Sequence, residues 1–320
     1  MEHVLTRTRA AVRAFSLPYL QAYFERLHEF SNWVIVSDYS IGSVGEPNDV
    51  AAFTVMPRVG SLVELDREVG ICLRGDLKQV RGISDLAIGC LRCDLFYTFA
   101  FVMPRERCLF SQQKPEAEAA AQLAAVRGTL EYYEGTLQGE LQNSELVKAL
   151  VRKLRLLEPR VRNRSANLKL LRDISLVPSL AACIVSIVQE FAAAAEVGWL
   201  SDRDNIVRAY DELAYEIFVL SHSWLAEQRG QNGKNTHLVF ANPPDVKGKR
   251  IWYDSLVRIP DYVAGALANY DLIEDSITRL KVERIITECL RDRRHFAMHK
   301  LDLGPSEKFS CRGFEFHKKK

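Results

Sequence analysis

Short runs of consecutive apolar residues recur along the chain, separated by longer helical patterns. The runs 33–37 (WVIVS), 50–57 (VAAFTVMP) and 95–104 (LFYTFAFVMP) are rich in β-branched and aromatic residues and predict buried strands. The first two are joined by a loop of Gly, Pro and Asn, which favours a hairpin with a long connection. Residues 196–201 (EVGWLS) and 236–244 (THLVFANPP) predict a fourth and a fifth strand.

Helical patterns fill most of the remaining chain. Residues 5–30 and 205–228 predict helices, and residues 61–93 are helical in pattern with a break at the Gly-Asp pair 75–76. We expect a long helix over about 261–292.

Residues 115–195 differ in kind, because strong helix formers (Ala, Leu, Glu and Arg) dominate them. They predict a large helical insertion (115–195) between a first part of the core with an N-terminal helix (1–114) and a second part with a C-terminal helix (196–320). The chain closes in an expected edge strand and a basic tail (314–320). The fold class is therefore α/β, a mixed sheet flanked by helices.

Composition sets limits on location and partners. The chain has 320 residues, 48% of them apolar and 26% charged, which is typical of soluble globular proteins. The net charge is only +2, so local clusters must identify any charged partner. Seven scattered cysteines and a charged N-terminal stretch without a signal sequence favour a reduced, cytoplasmic protein. The most apolar stretch, 176–195, is interrupted by polar residues and predicts a buried helix, so no membrane association is expected.

Aspartates recur at the borders of the predicted apolar elements. Asp38 ends the first strand, Asp202 and Asp204 follow the fourth, and Asp261 begins a helix. A sheet that brings strand ends together would gather these side chains, and Mg²⁺ prefers such oxygen ligands. Two ions held by these four residues would clamp the attacking and leaving oxygens of a phosphodiester.

Each aspartate also has an ordinary structural interpretation. Asp38 could accept backbone N–H groups in a turn, and Asp202 and Asp204 could cap the helix that begins near Ile206. Asp261 follows a proline and suits the first turn of a helix by its charge. Taken singly, the residues leave both interpretations open.

The order of the motifs resembles that of a ribonuclease-H-like family of uncharacterised prokaryotic proteins, domain of unknown function 3800. The similar segments are "VSDYSIG" after the first strand, the second strand "AAFTVMP", "GDLKQ" at 75–79, "WLSDRD" and "PDYVAGALA" at 260–268. Where the family has Glu-Ser-Gly after the first aspartate, this chain has Tyr-Ser-Ile-Gly and so lacks one acidic candidate.

This resemblance implies a ribonuclease-H-like mixed sheet and a divalent-metal-dependent nuclease or related phosphodiester-processing enzyme. Asp38, Asp202 and Asp261 would hold Mg²⁺ or Mn²⁺, with Asp76 or Asp204 as a fourth ligand. Lys78 would contact a phosphate or orient a carboxylate.

A basic segment at 148–164 is the candidate contact for nucleic acid. Its apolar residues lie on one helical face and basic residues follow another, before and after Pro159. Such a stripe could neutralise phosphates, or it could be a solvated face paired with the acidic stretch upstream. The candidates are Lys148, Arg152, Arg155, Arg160, Arg162 and Arg164.

A second function class stays open from the sequence. The sheet could be a catalytically inactive ribonuclease-H-like scaffold that binds a protein partner through residues 115–195. A zinc site is not expected: Cys90 and Cys93 have a zinc-like spacing, but we interpret them as core cysteines and His295 and His299 as a surface pair on a helix.

Overall fold

The computed structural model describes residues 2–105, 114–136, 141–230, 237–240, 251–302 and 309–316. Within these ranges the strands are β1 (Asn32–Ser40), β2 (Asp49–Pro57), β3 (Tyr97–Met103), β4 (Glu196–Ser201), β5 (His237–Phe240), β6 (Tyr270–Asp271), β7 (Ser276–Ile277), β8 (Phe296–Asp302) and β9 (Ser310–Phe314). The helices are α1 (Glu2–Arg26), α2 (Leu62–Cys72), α3 (Asp85–Leu91), α4 (Pro115–Thr136), α5 (Leu141–Arg162), α6 (Leu168–Ala192), α7 (Asn205–Gln228) and α8 (Arg258–Ala268).

A seven-stranded mixed sheet organises the described part of the chain, in the order β5-β4-β1-β2-β3-β8-β9. β1, β2 and β3 form an antiparallel meander, and β4 is parallel to β1 on its other side. β5 is parallel to β4, β8 is parallel to β3, and β9 is antiparallel to β8. The predicted α/β class, with a mixed sheet flanked by helices, is confirmed.

Helices cover both faces of this sheet, which explains the continuous apolar runs of its strands. On β1, Trp33 and Ile35 face the layer that contains α1, α5, α6 and α7. Val34 and Val36 face the layer that contains α2, α3 and α8. Because side chains alternate along a strand, Asp38 is on the α8 side.

The helix α6 is the centre of the larger layer. It is long and apolar enough to cross a membrane, but 94% of its most apolar window is buried inside the protein. The predicted buried helix is therefore confirmed. Residues 115–195 contain α4, α5 and α6, with a short connection at 163–167 between the last two, and α6 packs against α1 and α7.

The predicted helix 261–292 is wrong beyond its first turns. α8 ends at Ala268, and the side chain of Asn269 turns back to donate to the carbonyl of Gly265 at 2.8 Å. Thr278 Oγ1 donates to the same side chain at 3.1 Å, which closes the small β6–β7 hairpin after the helix. A 3₁₀ turn (Leu280–Val282) and a π-helical turn (Ile285–Cys289) follow.

The expected surface histidine pair is also wrong. His295 precedes β8 and His299 lies within it, and their exposed fractions are 4% and 0%. The strand buries them because it adds to the sheet beside β3, a long-range pairing that local sequence does not reveal. The edge strand expected to begin at Phe314 is instead β9, which ends there. The basic tail 317–320 lies outside the described residues. Residues 236 and 241–244 of the predicted fifth strand also lie outside them.

Candidate functional site

The site forms where β1 and β4 end, beneath the start of α8. Asp38 lies on β1 opposite Ala52 of β2, and Asp261 is in the first turn of α8. The two carboxyl groups are within hydrogen-bond reach of each other. Since an ionised carboxylate only accepts hydrogen bonds, this contact requires a proton or a cation between the two groups.

Burial and mutual repulsion govern the ionisation of this pair. Burial raises the pKa of Asp38 well above its ordinary value, and the charges of Asp261 and Asp202 raise it further. Burial also raises the pKa of Asp261 to about 6, although a hydrogen bond from the backbone of Leu77 opposes the shift. That bond, Leu77 N–H to Asp261 Oδ2 at 2.6 Å, fixes the carboxylate of Asp261 in place.

Asp202 and Asp204 approach from β4. Asp202 directly follows the strand, where its backbone N–H donates to the carbonyl of Ser37 at 3.3 Å, and Oδ1 accepts from Arg203 N at 2.6 Å. Burial raises its pKa, and the charges of Asp204 and Asp254 add to this. Asp204 caps α7, accepting from Ile206 N at 2.8 Å, so its helix-capping interpretation is confirmed and its Oδ1 is engaged.

The segment 73–80 forms one rim of the site and contains Asp76 and Lys78. Both side chains are exposed. Asp76 accepts from Gln79 Nε2 at 3.0 Å and lies 3.6 Å from Arg258, while its charge raises the pKa of Asp261. The charge of Lys78 lowers the pKa values of both Asp204 and Asp261, so it is the nearby cation of the rim.

Three side chains from the other side of the site hold this segment, and sequence reasoning missed all three. Arg258 Nη1 donates to the carbonyl of Leu73 at 2.8 Å, and Tyr262 Oη donates to that of Gly75 at 3.1 Å. Lys281 Nζ donates to the carbonyl of Leu77 at 2.6 Å. They fix the position from which the backbone of Leu77 reaches Asp261.

Asp254 is a further acidic residue that sequence reasoning missed. Its carboxylate accepts from Arg258 at 2.9 Å, and its charge raises the pKa of Asp202. The spacing of Asp254 and Arg258, four residues apart just before a helix, was the available signal.

The donor set suits a hard divalent cation. Carboxylate oxygens are the ligands that Mg²⁺ and Mn²⁺ take, and the repulsion within the pair is what a dication would relieve. Within the described residues, no three His, Cys, Asp or Glu side chains are already arranged as a complete ligand group. Asp38 and Asp261 are in contact, whereas Asp202 acts on Asp38 through its charge alone.

The basic segment lies apart from the acidic residues, in the helical layer on the other face of the sheet. Much of its charge is paired: Arg155 with Glu131 at 2.8 Å, Lys148 with Glu145 at 2.9 Å, Arg162 with Glu158 at 2.6 Å, and Arg164 with Glu116 at 3.9 Å. Arg152 and Arg160 are exposed. These pairs support a solvated, internally neutralised face, and contact with nucleic acid stays a prediction.

An open groove of about 410 Å³ runs along the helix α5, which carries most of the basic segment. It is lined by Lys148, Val151, Arg152, Arg155 and Leu156. Cys90 and Cys93, which have a zinc-like spacing, pack in the α8 layer, whereas His299 stacks on Phe101 in the layer on the other face of the sheet.

Comparison of the chain with models of known protein families, with curated proteins and with solved structures gave no match.

Proposed function

We propose that this protein hydrolyses phosphodiester bonds with the help of a divalent metal ion, as a nuclease or related enzyme of ribonuclease-H-like fold. One observation carries the proposal: two half-buried carboxylates, those of Asp38 and Asp261, come from separate rigid elements and lie within hydrogen-bond reach of each other. Asp202 stands beside them at the end of the next strand.

The energetics of the pair support a ligand-binding role over a structural one. Clustered, half-buried carboxylates repel each other and lose part of their hydration, so they disfavour the folded chain at neutral pH unless a proton or cation intervenes. A pair of apolar residues at these positions would avoid that cost. Carboxylates kept in such an arrangement are typical of functional sites.

The architecture also supports the proposal. β1 lies between antiparallel β2 and parallel β4, so the ends of β1 and β4 lie side by side with Asp38 and Asp202. The small residues of α8 let it lie close to β1, which brings Asp261 over Asp38. This is the convergence that the resemblance implies.

Each side chain then has a role. Asp38 and Asp261 would hold one Mg²⁺ or Mn²⁺, and Asp202 would complete the ligand set, with Asp204 beside it. The bound metal would supply neutralisation of the phosphate charge and a more acidic water. Leu77 N–H keeps Asp261 oriented, and Lys78 on the rim is placed to contact a phosphate oxygen of the substrate.

A thermal melt with and without Mn²⁺ tests the site before any substrate is known. We expect Mn²⁺ to raise the melting temperature of the wild-type protein and EDTA to reverse the rise, since a ligand that binds only the folded state stabilises it. Asp38→Asn and Asp261→Asn should each lose this response. Asp85→Asn is the matched control, because the Asp85 side chain is 95% exposed and its ion-pair partner is Arg284, which is not part of the acidic site.

Cleavage of labelled DNA and RNA, in Mn²⁺ or in EDTA, tests the activity. Cleavage that needs Mn²⁺ and is lost in both asparagine variants supports the proposal. Cleavage that persists in both variants would remove these residues from the mechanism.

If Mn²⁺ changes neither stability nor cleavage, the inactive scaffold that binds a partner through residues 115–195 becomes the better hypothesis. Deleting that segment would not test it cleanly, because α6 is buried in the core. Arg152→Glu and Leu156→Asp are better probes, since both side chains are exposed on the groove of α5.

A further inference from the structure

One large aromatic side chain is open to solvent in the turn before α8. Trp252 is 43% exposed, whereas Trp33 and Trp199 are each 1% exposed. A single exposed apolar side chain is ordinary on a protein surface, so its mounting and its surroundings decide what it indicates.

Neighbouring groups hold this turn in place. The ring of Trp252 is T-shaped against that of Tyr253, with centroids 5.0 Å apart, and Tyr253 is itself 1% exposed. Tyr253 Oη donates to the carbonyl of Ser201 at 3.1 Å, and Asp66 of α2 accepts from Ser255 N at 2.6 Å. The indole is thus presented on a braced support, which limits the ordering cost of contact with a ligand.

A short chain of contacts connects this support to the acidic site. Ser201, whose carbonyl Tyr253 binds, directly precedes Asp202, and the backbone N–H of Asp202 donates to the carbonyl of Ser37 at 3.3 Å. Ser37 directly precedes Asp38. Tyr253 also packs in the layer of α8, the face of the sheet on which Asp38 lies. The exposed indole therefore stands on the β4 side of the acidic site.

We propose that Trp252 stacks on an unpaired base of a nucleic acid, so that the substrate of the acidic site is a single strand. This inference rests on the proposed function, since it names the substrate class of the same site. Surfaces that bind single strands combine positive charge for the phosphates with aromatic rings for the bases. Lys78, exposed on the rim, provides the charge, and Trp252 provides the ring.

The chemistry of stacking explains why a single strand is specified. Every base has a flat π face, so an indole accepts any sequence. The bases of a duplex are already paired and stacked on their neighbours, whereas those of a single strand can turn outwards onto an aromatic side chain. We therefore expect weak dependence on sequence and strong dependence on strandedness.

Fluorescence anisotropy of short labelled strands, of DNA and of RNA, measures the binding. Ca²⁺ replaces Mn²⁺ as the oxygen-binding cation, and a gel of each sample checks that the strands stay intact. We expect Trp252→Ala to weaken binding of single strands by about 5- to 100-fold, the loss of one stacked base. Trp252→Phe should retain most of the affinity, because phenylalanine also stacks. Ile273→Ala is the matched control: it shortens an apolar side chain that is 88% exposed and should leave binding unchanged.

Intrinsic fluorescence provides a second measurement of the same contact. A base stacked on an indole quenches its emission, so single strands should quench the fluorescence of the wild-type protein. That quenching should be lost in Trp252→Phe, although this variant still binds. Thermal melts of each variant check that the exposed substitutions leave the fold intact.

The results separate this inference from the proposed function. Equal affinity of Trp252→Ala and wild type for single strands, tighter binding of duplexes by the wild type, or no binding of any strand would overturn the inference. Cleavage that depends on Mn²⁺ would still support the proposed function in the first two cases. Weaker binding by Trp252→Ala without any such cleavage would support the stacking contact and refute the proposed activity.

Discussion

Replacing His299 by phenylalanine should make the stability of the protein less sensitive to acid. The imidazole is fully buried in β8, T-shaped against Phe15 and stacked on Phe101, with both centroid distances 5.4 Å. Within the described residues, neither ring nitrogen has a hydrogen-bond partner. Burial, with the charge of Arg293, lowers the pKa of His299 to about 3.

The magnitude follows from linkage between protonation and folding. An unfolded histidine has a pKa of about 6.5, so between pH 6.5 and 3 the unfolded chain binds a proton that the folded chain does not. The stability associated with neutral His299 is therefore complete above pH 6.5 and is lost as the pH falls towards 3. From pH 7 to pH 5 the loss is about 2 kcal/mol, since the slope approaches about 1.4 kcal/mol per pH unit.

Urea unfolding followed by tryptophan fluorescence, at pH 7 and at pH 5, measures this effect. Burial raises the pKa of Asp173 to about 6, so that carboxyl group takes up a proton on folding over the same range and acts in the opposite direction. Comparing variant with wild type at each pH cancels such contributions. We expect the free energy of unfolding of His299→Phe, relative to wild type, to be about 2 kcal/mol higher at pH 5 than at pH 7.

Two further variants make the test specific. His299→Leu removes the same imidazole with a different shape, so its absolute stability will differ but its pH response should match. His28→Asn changes an exposed histidine and is the control for replacing a histidine elsewhere in the chain. An equal stability difference at both pH values for His299→Phe and His299→Leu would refute the assignment of a buried neutral histidine.

The other predictions concern packing, capping and buried charge. Gly313→Ala should lower the free energy of unfolding by about 1–3 kcal/mol, because the added Cβ would overlap the ring of Phe15. Gly89→Ala should raise it by about 0.5–1 kcal/mol, because the added Cβ meets open space beside the helix α3. Urea unfolding of the two variants distinguishes a steric conflict from a general effect of alanine. Asp204→Ala should lower the free energy of unfolding by about 1 kcal/mol through loss of the α7 cap, and Asp204→Ser should lower it much less because serine also caps helices. Equal losses for the two variants in urea unfolding would argue against the cap. Arg172→Met should cost about 3–5 kcal/mol in a urea titration, because it removes the buried cation that bonds both Asp173 and Asp49 and leaves Asp49 only the partly exposed Lys169 and Arg105. An unchanged midpoint would contradict this pairing.

The sheet was predictable where its strands are continuous apolar runs. The strands β1 to β4 are buried on both faces, so each contains several apolar residues close together and is recognisable locally. β8 was not recognised, because His299 and Lys300 interrupt its apolar residues and its burial depends on pairing with β3. The end of α8 was missed for a different reason, since it depends on local side-chain bonds of Asn269 to Gly265 and Thr278, which the apolar pattern does not reveal.

The candidate site was predictable only in its acidic residues. Their positions at the ends of apolar elements placed Asp38, Asp202 and Asp261 near one another by simple geometry. The support from Arg258 and Lys281 was not predictable, because both reach the backbone of a segment about 200 residues earlier in the chain. The pairing of Arg155 with Glu131 likewise depends on how α4 and α5 pack, whereas Lys148 and Arg162 pair with glutamates within α5 itself.

The pairing of β3 with β8 affects how the protein can be made. Thr98 lies opposite Phe296, so during translation β3 leaves the ribosome long before the strand that covers its edge exists. A bare apolar edge recruits strands from other chains, and a nascent chain in that state depends on chaperones. A premature stop codon or a protease cut ahead of residue 296 should therefore yield insoluble fragments and not a smaller folded protein.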